Sequence, residues 1–266
     1  MSSEPGIVVT ADGGILRIRI DRVQRKGSLD PASVLAMIDA LEAASTDETL
    51  RAILLTGTGD DFCSGADWVS TNAADAPKPR TGSIQRRTPV QAHRLISVLG
   101  EVQLPTVCAV RGWAAGLGCQ LALVADFAVA AEDSRFWLPF VKRGFTADSG
   151  SSWLLPRLIG VARAKEMLLL GRPVSGLDAA SWGMIHRAVP TAEVDDAAEA
   201  LVAELAAGPT VALGLMKRCI NTALDGRIEE AMANESFCLE LSSRTSDFRE
   251  GLSAFRERRD PNFTGR

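Results

Sequence analysis

Histidine is almost absent from this sequence: only His93 and His186 occur in 266 residues, too few for a histidine-rich metal site. The five cysteines, Cys63, Cys108, Cys119, Cys219 and Cys238, are scattered along the chain. They show neither the close pairs of a zinc site nor the density of a disulfide scaffold, so reduced thiols packed into the core are expected. No basic run exceeds a few residues, and the formal net charge is −4 with a pI near 5.4, which argues against a nucleic-acid partner. No apolar run reaches the roughly 18 residues that a membrane span needs. The segment from Met1 to Gly6 also lacks the charged-then-apolar pattern of a secretion signal. The expectation is a cytoplasmic protein that uses no metal and engages neither nucleic acid nor membrane.

What the chain does contain is an ordinary globular composition, 46% hydrophobic and 23% charged residues, enough to bury a sizeable core. Its length fits one compact α/β body, residues 1–200, with a helical C-terminal region, 201–266. Ile7 to Val9 and Ile15 to Ile20 are rich in β-branched residues and flank the turn signal Ala11-Asp12-Gly13-Gly14, which predicts a hairpin. Leu35, Ile38, Leu41 and Ala44 recur at helical spacing within Ser33 to Ser45, and Ala52 to Thr56 reads as a buried strand. Thr71 to Pro89 lacks periodicity and predicts an exposed loop. A second cycle follows: a helix over Val90 to Leu99, a strand over Thr106 to Val110, a helix over Gly116 to Asp126 and a strand over Phe127 to Ala130. Helices are predicted over Gly150 to Leu170, Gly176 to Trp182, Val194 to Ala207, Thr210 to Leu224 and Ser246 to Arg258.

Two segments of small residues carry the chemistry. Asp61-Phe62-Cys63-Ser64-Gly65-Ala66-Asp67 follows a buried strand, where small residues let backbone N–H groups approach an anionic atom. Arg111 to Leu121, with Gly112, Gly116 and Gly118, is a strand end that opens a helix, whose positive end can stabilise a negative oxygen. Alone, each is equally consistent with a tight turn or a packing device, and the second lacks the Lys-Ser/Thr ending of a phosphate-binding P-loop.

In their order and spacing, the two segments resemble the paired oxyanion-hole motifs of the crotonase (enoyl-CoA hydratase/isomerase) superfamily. Asp21 to Lys26 is similar to that family's early CoA-binding turn, Pro139 to Arg157 to its second active-site stretch, and Phe248 to Phe263 to its terminal helix. The resemblance implies an α/β fold, a spiral of repeated ββα units with a helical C-terminal region that forms trimers, singly or stacked in pairs. It implies an acyl-CoA thioester as substrate, with CoA entering only as part of it and no metal or redox cofactor. It also implies that the backbone N–H groups of Ala66 and Leu117 bind the thioester oxygen. Such a hole favours the charged enolate over the ground-state carbonyl, and losing one donor typically costs about 2.7–4 kcal/mol. CoA contacts are expected from Arg25 and Arg258 to the phosphates, and from the backbone of Ser64 to Asp67 to the adenine.

The sequence departs from the family's hydratases at their two glutamates, where it carries Gln120 and Phe140. Neither side chain can act as a base, so the paired-carboxylate activation of water is missing. Asp148, in Gly144 to Gly150, stands where the resemblance to the family's double-bond isomerases places a proton-transferring Asp. One carboxylate suffices for a 1,3-proton shift on one face of an enolate. Asp148 followed by Ser149 and Gly150 is also a common helix N-cap pattern. Gln120, Phe140 and Trp137 are expected to wall the substrate pocket. His93 falls where a hydrolytic dehalogenase of this superfamily carries a His paired with an Asp nucleophile, although the aromatic partner, a Trp there, aligns with Phe140. The favoured expectation is enoyl-CoA isomerisation. Hydration, a silent acyl-CoA binder and a hydrolytic acyl-CoA dehalogenase remain the alternatives.

Overall fold

A computed structural model of the chain describes residues 6–67 and 80–266. The predicted hairpin forms β1 (Ile7–Asp12) and β2 (Ile15–Ile20), antiparallel. Gly13 and Gly14 turn it at positive φ, 58° and 77°, a conformation open to glycine at little steric cost. Helix α1 (Pro31–Ala44) starts on Asp30, whose carboxylate accepts the Ser33 N–H at 2.8 Å, with Pro31 in the first turn. Strand β3 (Ala52–Gly57) then pairs parallel to β2.

From here the chain repeats a strand-strand-helix unit. After α2 (Ser83–Arg87) and α3 (Ala92–Glu101), β4 (Thr106–Val110) joins the main sheet, β5 (Trp113–Ala115) leaves it, and α4 (Leu117–Val124) follows. The next turn has β6 (Phe127–Ala131), β7 (Arg135–Trp137) and α5 (Ser151–Lys165), and the next has β8 (Val174–Ser175), α6 (Gly176–Ser181) and β9 (Arg187–Val189). The main sheet runs β1-β2-β3-β4-β6-β9 and the small one β5-β7-β8. Four helices close the chain: α7 (Val194–Ala207), α8 (Thr210–Ala223), α9 (Ile228–Ser242) and α10 (Ser246–Glu257).

Parallel strands need cover on both faces, and alternation supplies it. Ile53 and Leu55 of β3 join the larger core with Leu95 and Leu99 of α3 and Leu121 of α4. Ala52 and Leu54 point the other way, against Val194, Ala198, Val202 and Ala206 of α7. Residue 200 thus lies within a helix packed on the sheet.

The structure corrects several expectations. Ser83 to Arg87 is helical, where an exposed loop was expected over Thr71 to Pro89; residues 71–79 lie outside the described residues. Strands β5, β7, β8 and β9 have two or three residues each, too few for alternation to reveal them. Helix α9 was not anticipated. The single helix expected over Gly150 to Leu170 breaks at Gly160, which sits at φ 74°, ψ 163°.

One ion pair ties α8 to the sheet. Lys217 donates to Asp126 at 2.8 Å, and the same carboxylate oxygen accepts the Thr106 N–H and O–H at 2.8 and 2.9 Å. Burial pulls the Lys217 ammonium below its ordinary pKa, and Asp126 partly offsets this. Removing one partner of such a pair leaves an uncompensated charge, so Asp126→Ala should destabilise the fold by about 3–5 kcal/mol. Urea unfolding followed by circular dichroism reads this directly, and an unchanged midpoint would show the pair to be idle.

Candidate active site

The two small-residue segments lie side by side. Phe62 donates its N–H to Arg111 O at 2.8 Å, Cys63 to Trp113 O at 2.9 Å, and Ala115 returns a bond to Cys63 O at 2.8 Å. Glycine makes this approach possible. A Cβ on Gly65 would lie 2.7 Å from Ala115 O and 3.4 Å from Leu117 N, and one on Gly118 would lie 2.2 Å from Cys63 O. Burial pushes the Cys63 and Cys119 thiols up to about 12, so both stay protonated and act as packing groups.

The lacing leaves two donors over. On its other side, Gly65 O accepts the Leu29 N–H and Asp67 donates to Leu29 O, both at 2.8 Å. Successive N–H groups of an extended chain alternate in direction, so the Ala66 N–H between them points away from Leu29. Leu117 is the first residue of α4, where an N–H has no partner inside the helix. Among the described residues neither N–H has a hydrogen-bond partner. Gly65, Ala66, Gly116 and Leu117 line one cleft.

The opposite walls come from Ile84, Arg87, Gln91 and Ala92 on one side and from Phe140, Arg143, Phe145 and Asp148 on another. Phe140 and Phe145 stack edge-on, with centroids 5.6 Å apart. Among the described residues, three carboxylates line the cleft: Asp30, Asp67 and Asp148. Arg22 pairs with Asp30 and, at 3.6 Å, with Asp67. Asp148 has no ion pair among the described residues. Its side chain is not an N-cap either: Gly150 occupies that position of α5, and no side chain caps the helix.

Of the residues singled out in the sequence, Ala66, Leu117, Asp148, Phe140, Ser64 and Asp67 share this cleft. Gln120 does not line it. It is fully buried behind Asp148, with Nε2 2.7 Å from the Asp148 carbonyl oxygen and 3.2 Å from Oδ1. Trp137 was expected on the pocket wall, but it turns its Nε1–H to Gly171 O at 2.9 Å and packs against Trp113 at 5.5 Å. Arg25 is exposed beside the cleft, its carbonyl accepting the Ser64 O–H at 3.3 Å. Arg258 is exposed at the end of α10 and off the cleft wall. The Ser64 and Asp67 N–H groups are already used, by Lys26 O at 3.0 Å and Leu29 O at 2.8 Å, which leaves neither as a backbone donor for adenine. His93 Nε2 accepts the Ser149 N–H at 3.4 Å, next to Asp148. Ile84 and Arg87 of the cleft wall escaped the sequence reading because their stretch carries no period, and Gln91 and Ala92 lie at the start of a helix that was expected but not tied to the site.

A model of the enoyl-CoA hydratase/isomerase family matches residues 10–266. The chain belongs to that family. It is 36% identical over 262 residues to the 1,2-epoxyphenylacetyl-CoA isomerase of Escherichia coli strain K12, covering 98% of each chain. It is 28% identical to the 2,3-dehydroadipyl-CoA hydratase of the same organism, covering 98% of this chain and 99% of that one. The enoyl-CoA hydratase structure from Bacillus anthracis superposes with a TM-score of 0.91 at 27% identity, over 98% of this chain and all of that one. The fold is therefore the crotonase spiral of ββα units. Within the enoyl-CoA hydratase/isomerase family both isomerases and hydratases resemble this chain, so the finer assignment rests on the chemistry of the cleft.

Proposed function

We propose that this chain isomerises the double bond of an enoyl-CoA, with Asp148 carrying the proton and the N–H groups of Ala66 and Leu117 holding the thioester oxygen. The observation that carries the reading is Asp148, which among the described residues is the one carboxylate of the cleft that no arginine engages. Asp30 and Asp67 are committed to Arg22, and the two family glutamate positions hold Gln120, buried, and Phe140, apolar. Asp148 takes the proton from the carbon beside the thioester carbonyl, and the electron pair moves onto the oxygen facing the two N–H dipoles. Fixed dipoles favour that oxyanion more than the neutral carbonyl, which lowers the barrier. The same carboxylate then returns a proton two carbons away, and the carbonyl re-forms beside a shifted double bond.

CoA contacts from Arg25 and the Ser64 backbone fit their place beside the cleft, whereas Arg258 would have to reach it from outside. Apolar side chains exposed on α8 and α9, Met216, Ile220 and Phe237 among them, support the trimer expected of the family.

The hydratase resemblance favours one second reading, slow water addition through Asp148 alone. Purified protein given a 3-enoyl-CoA in deuterated water separates the two. Migration of the double bond supports isomerisation, whether the moved proton comes from the substrate or as deuterium from solvent. Hydration of crotonyl-CoA at an enzymatic rate would overturn it in favour of the second reading. Tight acyl-CoA binding with neither reaction would indicate a silent binder. The dehalogenase reading is disfavoured because the aromatic partner, a Trp in such enzymes, is Phe140 here, and His93 Nε2 is turned to the Ser149 N–H at 3.4 Å.

A further inference from the structure

We propose that Gln120 is a positioning residue that pins one oxygen of Asp148 and leaves the other, Oδ2, to carry the proton at both ends of the shift; the inference rests on the isomerase reading above. The Gln120 side chain is fully buried. Its Nε2 lies 2.6 Å from Ser151 Oγ, 2.7 Å from the Asp148 carbonyl oxygen and 3.2 Å from Asp148 Oδ1. The Ser151 hydroxyl donates in turn to the Asp148 carbonyl oxygen at 3.0 Å. An amide nitrogen has two hydrogens, so one goes to Ser151 Oγ and the other is shared between the two Asp148 oxygens. The reverse amide orientation would set Oε1 against a carbonyl and a carboxylate, so the chemistry of the neighbours fixes the rotamer.

Gln120 Oε1 is buried without a partner among the described residues. A buried unpaired acceptor is unfavourable, and methionine or leucine at this place would not carry it. The amide is thus explained by what its N–H groups hold rather than by packing. Asp148 Oδ2 has no hydrogen-bond partner among the described residues. Ser149, at φ 45°, is a non-glycine residue in the left-handed region and is held from the other side by His93 of α3, so two elements grip the loop around Asp148. Leu117 and Gln120 are three residues apart on α4. One helical turn therefore fixes the donor that meets the thioester oxygen relative to the group that holds the carboxylate.

In the reaction so arranged, the carbon–hydrogen bond beside the carbonyl breaks, its proton passes to Oδ2 and its electron pair to the thioester oxygen. The pair returns as the new double bond forms, and Oδ2 delivers that same proton to the distal carbon. A pinned carboxylate returns its own proton; a loosened one exchanges it with water first.

The test compares wild type, Gln120→Met and Ser151→Ala on two substrates: a 3-enoyl-CoA deuterated beside the carbonyl, for label transfer, and butanoyl-CoA in deuterated water, for exchange without a double bond. Since misplacement by about 1 Å costs about 100-fold, Gln120→Met should lower kcat by about 10–100-fold. KM should move little, and label retained in the product should fall. Ser151→Ala removes one support of the amide but keeps its contact with Oδ1, so retention should fall less than in Gln120→Met; an equal fall in both would point to a purely structural cluster. Gln120→Leu repeats the test if the methionine variant does not fold. Unchanged rate and retention in Gln120→Met would overturn the inference while the isomerase reading stands. Exchange of butanoyl-CoA by the wild type without double-bond migration would overturn that reading, while the exchange rate still reports on Gln120. Absence of both label transfer and exchange in the wild type overturns both.

Discussion

Asp148→Asn should abolish proton transfer while leaving acyl-CoA binding within a few-fold of wild type. The asparagine keeps the shape of the side chain and an oxygen for Gln120 to donate to, so the loop before α5 should stay in place. What it loses is a basic oxygen. General acid–base groups contribute about 10²–10⁴-fold, and with no second free carboxylate in the cleft the loss should lie toward the upper end. Exchange beside the carbonyl and double-bond position, followed by mass spectrometry and NMR, give the rate, and calorimetric titration with butanoyl-CoA gives the affinity. A variant that retains most of its exchange rate would remove Asp148 from the mechanism, and the isomerase reading would go with it.

The second large effect is expected at Gly65. Its φ is 97°, a conformation that side chains with a Cβ rarely adopt. An added methyl would sit 2.7 Å from the Ala115 carbonyl oxygen, a backbone atom that can move only with the whole segment carrying Gly116 and Leu117. Gly65→Ala should therefore push the Ala66 and Leu117 donors apart. Loss of one such donor is worth about 2.7–4 kcal/mol, or about 10²–10³-fold in rate. The fall should appear in kcat more than in KM, because the hole acts on charge that develops only in the transition state. Gly13→Ala is the control: it is also at positive φ, but nothing lies within 4 Å of its Cβ and it is remote from the cleft. If Gly65→Ala and Gly13→Ala lowered stability alike and left the rate alone, the two N–H groups would not form the hole.

Some of this was open to reading before any fold was known. The hairpin at Gly13-Gly14, helix α1, and strands β3, β4 and β6 declare themselves because each is long enough for its period or its β-branched run to stand clear of noise. Ala66 and Leu117 were legible only through the family resemblance that the two small-residue segments carry; the structure shows why those segments are small, since Gly65 and Gly118 have no room for a Cβ where the two chains meet.

Tertiary structure alone decided the rest. The resemblance singles out Asp148, but only packing brings Arg22 to Asp30 and Asp67 and leaves Asp148 with no ion pair among the described residues. Likewise Gln120 and Trp137 could be placed near the pocket but not oriented. Their partners, Asp148 at a separation of 28 residues and Gly171 at 34, come within reach only when the spiral closes. Small residues mark each of the two segments that can present backbone N–H groups to an anion, and the fold brings Ala66 of one beside Leu117 of the other. Which side chain remains free to move a proton depends on where every competing charge ends up, and that is a property of the folded whole.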